Sequence, residues 1–154
     1  MLRFLTSLLA LLWLTSADAA GPPYPGYGAS VVPVVLPSAV VGNTAITLTM
    51  PAVASWWNVI VDIKCGNNGA TTAAYVQATL AGVFGGTETF IVSVPSSSTA
   101  GQGEVDVAAG GLGNGGNGLI AADVNTAITF TLPALGTGNT AATCTLYGYR
   151  VPYQ

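Results

Sequence analysis

NTAITLTMPAV, residues Asn43–Val53, returns further along the chain as NTAITFTLPAL, residues Asn125–Leu135. The two copies differ only at Leu48/Phe130, Met50/Leu132 and Val53/Leu135, each an apolar exchange. In the first copy Ile46, Leu48 and Met50 share one face of an extended chain, and Ala45, Thr47 and Thr49 share the other. Ile128, Phe130 and Leu132 repeat that alternation around Thr129 and Thr131. A period of two marks a strand with a single buried face, and Pro51 and Pro133 end it by removing a ladder donor. The repeat implies either two halves of a sandwich related by pseudo-symmetry or convergent strand chemistry. Its spacing is too wide for a short solenoid repeat.

Outward from these two segments, further strands are expected at Thr44–Met50, Trp57–Cys65, Ala73–Ala81, Thr87–Val94, Gly103–Val107, Ala127–Leu132 and Ala142–Val151. Turn clusters separate them: Gly66-Asn67-Asn68-Gly69, Gly85-Gly86, Pro95-Ser96-Ser97-Ser98 and Gly136-Thr137-Gly138-Asn139. Short strands punctuated in this way predict an all-β, antiparallel β-sandwich of about seven to eight strands, jelly-roll or immunoglobulin-like. The one segment with a competing helical reading is Thr71–Leu80. The domain itself spans 42–154.

Two segments precede that domain. Residues 1–19 have a basic start at Arg3, an apolar run from Phe4 to Leu14 and an Ala17-Asp18-Ala19 ending, the layout of a secretory signal. An uncleaved anchor and an N-terminal arm buried in an assembly are the alternatives; the apolar run is short for a bilayer span. Any membrane contact is therefore expected to be transient and confined to 1–19. Residues 20–41 form a proline-rich arm. GPPYPGYG (Gly21–Gly28) is extended and partly polyproline in character. Val31, Val32, Val34, Val35 and Leu36 then form an apolar β-branched ribbon interrupted by Pro33 and Pro37. Such a run sits at a sheet edge or lies across another subunit. The expectation is that its own fold leaves it partly unsatisfied and that it pairs with a neighbour.

Composition narrows the function. Charged residues make up 6% of the chain and the net charge is −3, with three basic residues, six acidic ones and no histidine. Three cations cannot form the basic stripe that nucleic-acid binding requires, and imidazole chemistry is excluded. Cys65 and Cys144 are the only cysteines. Behind an export-like segment an even count favours a disulfide, with two buried free thiols as the alternative. Neither a metal site nor a cofactor is expected: two thiols without histidine leave a coordination shell short. Gly113–Gly118 fits G-x-G-x-x-G but lacks the flanking strand and helix of a dinucleotide site. It belongs to a glycine-rich surface loop, Gly101–Gly118. Among the carboxylates only Glu104 and Asp106 have a suggestive spacing, and solvated surface charge is the simpler account. No catalytic residues are assigned.

Aromatic residues are the more informative candidates. Trp56 and Trp57 are adjacent, so on a strand they face opposite sides. Tyr147, Tyr149 and Tyr153 fall on alternate positions near the C-terminus, and Tyr24 and Tyr27 lie on the arm. Outward tyrosine and tryptophan favour protein interfaces or sugar stacking.

The C-terminal segment NTAITFTLPALGTGNTAATCTLYGYRV (Asn125–Val151) and the stretch ATTAAYVQATLAGVFGGTETFIVSVP (Ala70–Pro95) resemble small β-sandwich virion structural proteins of tailed bacteriophages, over about residues 42–151. The resemblance implies a non-enzymatic, capsid-decoration type of subunit at the virion surface and carries over no catalytic residues. The expected function is a structural protein that forms homo-oligomers or joins a particle through its arm and sheet edges. The alternatives are a secreted adhesin or carbohydrate-binding sandwich, with a glycan as partner, and a subunit of an extracellular filament built by strand exchange.

Overall fold

The computed structural model describes residues 31–96, 103–107 and 118–153, with 103–107 described through its backbone. The signal-like segment, the arm before residue 31 and most of the 101–118 loop lie outside the described residues. The strands are β1 (Val32–Pro37), β2 (Ile46–Met50), β3 (Trp56–Asn67), β4 (Ala74–Val83), β5 (Gly86–Val94), β6 (Gly103–Val107), β7 (Leu119–Ile120), β8 (Ile128–Leu132) and β9 (Ala142–Pro152). Thr71–Leu80 is therefore not a helix. Alternate inward positions at Ala78 and Leu80, with Thr79 between them, put its period at two.

One sheet runs β1-β9-β3-β6, with β7 also on β3, and the other runs β2-β8-β4-β5. All ladders are antiparallel. The pairs β1–β9, β2–β8, β3–β6 and β4–β5 are the rungs of one long hairpin. The pairs β9–β3 and β8–β4 then form as that hairpin rolls up. This connectivity is a jelly roll, which decides between the two sandwich types that the sequence allowed.

The repeat has a specific role in this roll. β2 and β8 lie side by side in the register Ile46↔Leu132, Leu48↔Phe130, Met50↔Ile128. Leu48 thus faces its own counterpart, and a local pseudo-twofold passes between them. The turns follow the same symmetry with a shift of one residue, since the counterpart of Gly136 is Ala54 and the donor is its neighbour Ser55. Asn43 Oδ1 accepts from the Gly136 N–H (2.9 Å), and its counterpart Asn125 accepts from the Ser55 N–H. The repeat therefore relates two neighbouring strands of one sheet. Their inward residues form the centre of the core with Ile60, Ile63, Leu80, Val92 and Leu146. On the outer side, a row of threonines crosses all four strands in register: Thr47, Thr131, Thr79 and Thr89. Cross-strand pairs of this kind each add some tenths of a kcal/mol.

Two local features position everything else. The first is a bulge in β3 between Ile60 and Asp62, opposite β9. Asn58 and Cys65 are an odd number of residues apart, so a regular strand would turn them to opposite faces. The extra residue, Val61, lets both point inward. The second is Asn58 itself, 1% exposed. Its Nδ2 donates to the carbonyls of Pro51 (3.1 Å) and Thr126 (2.8 Å), with Met50 O at 3.4 Å. Its Oδ1 accepts from Arg150 Nε at 3.1 Å. Its backbone carbonyl accepts from Ala121 N–H at 2.8 Å. One amide thus joins the end of β2, the approach to β8, β9 and the β7 segment. That segment also reaches the other sheet, through Phe84 N–H to Ile120 O and Ala122 N–H to Gly82 O. Gly82 has φ +84°, and a Cβ there would collide with the Ala127 carbonyl.

Asn58→Ala is expected to destabilise the domain by about 3 kcal/mol, because it strands buried carbonyls and the Arg150 guanidinium. A urea titration checks this; a midpoint unchanged from wild type would mean the hub contributes nothing.

Candidate interaction surface

The apolar ribbon was expected at a sheet edge or across another subunit, partly unsatisfied by its own fold, and the structure places it at a sheet edge. All of β1 pairs with β9, from Val32↔Arg150 to Pro37↔Thr145. Ser38 N–H donates to the Cys144 carbonyl at 2.7 Å. Counting back in alternation, the backbone groups of Leu36, Val34 and Val32 face β9, and those of Pro37, Val35 and Pro33 face the open edge. Both prolines thus spend their missing N–H where no ladder needs it. A ribbon with this proline spacing suits one side of a long strand, and β9 supplies that side. Val34 and Leu36 are corrected as interface residues, because their side chains pack against the core. Val31 is half-buried. Val32 and Val35 are exposed, Val35 by 56%.

Val35 lies directly across from Tyr147, and Pro33 across from Tyr149. Tyr147 in turn is the partner of Asp62 on β3. The outer face of β1-β9-β3 therefore carries Pro33, Val35 and Pro37, then Tyr147 and Tyr149, then Asp62 and Lys64. Tyr147 is 36% exposed and Tyr149 half-buried. Val61, the bulge residue, is exposed as well. Asp62 Oδ2 stands 4.0 Å from Lys64 Nζ, a surface pair of the kind that contributes little to stability. Its Oδ1 is buried without a hydrogen-bond partner.

Tyr153 is exposed at the end of β9 and is anchored through its N–H to the Ser55 carbonyl (2.8 Å). It does not join the Val35–Tyr147 strip. Trp56 and Trp57 are both half-buried, and Trp57 packs against the core, so neither is presented as a free ring. Glu104 and Asp106 lie on β6, opposite Gly66 and Lys64. Among the described residues, no group of three His, Cys, Asp or Glu side chains is placed to hold a metal ion. No helix there is long and apolar enough to cross a membrane.

Cys65 and Cys144 form a disulfide. They are Cα partners on adjacent strands, 4.1 Å apart, in the closely spaced type of antiparallel pair. Both are buried. The bond spans a sequence separation of 79 residues and fits an extracellular or otherwise oxidising location.

Sequence reasoning passed over Tyr75, Phe84 and Ile91, which are exposed by 68%, 74% and 59%. Ile91 had a signal. In Phe90-Ile91-Val92 the apolar run breaks strict alternation, so one of the three must face out.

The chain was compared with protein-family models, with curated proteins and with solved structures, and it matches none of them.

Replacing both cysteines with alanine is expected to cost about 4 kcal/mol, given the length of the loop that the bond closes. Guanidinium midpoints of the two proteins measure it. Titratable thiols in the native wild type would contradict the bond.

Proposed function

We propose that this chain is a non-enzymatic structural subunit that assembles with copies of itself. The observation that carries the reading is the outward strip Val35–Tyr147, flanked by Pro33 and Tyr149 on the face of β1 and β9. It is apolar and aromatic, it lies on paired strands, and among the described residues charge borders it at Asp62 and Lys64. Tyrosine-rich, charge-poor patches on ordered backbone are the usual cores of protein interfaces. A chain with 6% charged residues also offers little electrostatic resistance to association. Jelly rolls serve in virus capsids and in lectins, and fold alone does not choose between them. The finer reading, a particle-surface role such as virion decoration, draws its support from the strand-and-turn resemblance. Secretion draws its support from residues 1–19 and from the disulfide.

A second reading is an exported carbohydrate-binding module. It is favoured by one detail: the exposed Tyr147 ring lies in register with Asp62, whose Oδ2 stands beside Lys64 Nζ at the surface. Sugar recognition combines an apolar ring with acceptors of that type. A glycan array distinguishes this reading, through saturable binding lost in Tyr147→Ala.

Light scattering of the full chain across a concentration series is expected to show masses growing beyond a small oligomer. Val35→Glu/Tyr147→Glu is expected to stop that growth while leaving the circular dichroism spectrum unchanged. A wild-type protein that stays monomeric at every concentration contradicts the structural reading.

A further inference from the structure

Of the four edge strands, β1, β6, β2 and β5, the first and the last are guarded differently. At the β1 edge, two of the three outward backbone positions, Pro33 and Pro37, lack a donor, which blocks the addition of another strand. β5 closes the other sheet, and no described strand is bonded to its outer edge. Its sequence, GTETFIVSV, contains no proline, lysine or arginine. Its register with β4 is unbroken from Val94 to Glu88, shifting only towards the Gly86 turn. Proline, lysine and arginine are thus absent along that length, and its one charge, Glu88, lies at a half-buried position near the turn.

The exposed large apolar side chains that sequence reasoning passed over sit at this same place. Ile91 and Tyr75 project from the β5–β4 pair, on diagonal positions of the register Gln77↔Ile91 and Tyr75↔Ser93. Phe84 caps the hairpin that joins the two strands. An unprotected edge and an outward apolar patch therefore coincide on one hairpin.

We infer that the outer edge of β5 pairs antiparallel with β5 of a second copy, joining two four-stranded sheets into one across a twofold axis. This builds on the structural-subunit reading and names its first contact. Charge selects the copy as occupant. Glu88 is the only charged residue in β5. A twofold centred near Ile91 sets it beside Val94 of the partner subunit, away from its own equivalent. An identical edge is self-complementary in donors and acceptors, and the same twofold sets Ile91 against Ile91 of the partner subunit.

The test uses the full chain in sedimentation-velocity runs across the micromolar range. The wild type is expected to pass from monomer to dimer as concentration rises through that range. Thr89→Lys/Ile91→Lys changes two exposed positions and places like charges across the new ladder, so it is expected to run as a monomer with an unchanged circular dichroism spectrum. Val35→Glu/Tyr147→Glu, which alters the other face, is expected to remain dimeric. Hydrogen exchange on the wild type supplies a readout that needs no variant: Gly86–Val94 amides should gain protection as concentration rises. A lysine variant that dimerises like wild type, or edge amides whose exchange ignores concentration, overturns the β5 contact and leaves the structural reading standing. A wild type that is monomeric throughout overturns both.

Discussion

The Asn58 carboxamide is the constraint around which the roll closes. A jelly roll brings strands from distant parts of the chain to one end of a sandwich, where several carbonyls arrive without ladder partners. A buried polar group left unmatched costs more than a matched one gains, so the end of the sandwich needs a donor that reaches several carbonyls at once. Asn58 does this for Pro51 and Thr126, and its oxygen takes the Arg150 guanidinium. That last bond also places one of the few cations of the chain against neutral amides, where it satisfies acceptors without needing a buried carboxylate.

The opposite end is joined by the same chemistry in different residues. Asn68 accepts from the N–H groups of Thr140 and Ala141 and donates to Thr140 Oγ1. Asn139 donates to the Gly69 carbonyl. The two turn clusters, 66–69 and 136–139, therefore dock on each other. Between these ends, β3 and β9 act as a spine. Asn58↔Arg150 and Cys65↔Cys144 are both pairs of that one ladder, the first hydrogen-bonded and the second covalent. The bulge at Val61 is what allows both clamps to face inward.

Much of this was legible in the residues. The alternation in NTAITLTM and NTAITFTL marks strands because threonine against isoleucine, leucine and phenylalanine leaves no ambiguity about the buried side. The cysteine pair and the proline-interrupted edge strand follow from equally local chemistry. The strand order does not, because pairings such as β1–β9 and β2–β8 join residues whose relation is set by the whole roll. β7 was missed because Leu119–Ile120 has too few residues to show a period. Asn58 was missed because counting back from Cys65 and Ile63 in strict alternation turns it towards solvent; only the bulge reverses that. Val34 and Leu36 were misjudged because an apolar run at an edge looks the same whether its inward half meets its own core or another chain.

The clamps also bear on what the outer surface can do. Binding costs rise with every side chain and segment that must be ordered on contact. The Val35–Tyr147 strip lies on β1 and β9, and β9 is fixed at one end by Arg150 and at the other by Cys144. β1 is fixed in turn by its ladder and by Cys144 N–H, which donates to Ser38 Oγ at 2.9 Å. The backbone beneath the exposed valine and tyrosine is thus ordered before any partner arrives. The proline-blocked edge of β1 prevents the sheet from extending in that direction, so contact there must use the face. On the proposed reading, partners would add on the β1-β9 face and at the β5 edge, and the sheet would not extend past β1 as a continuous ribbon.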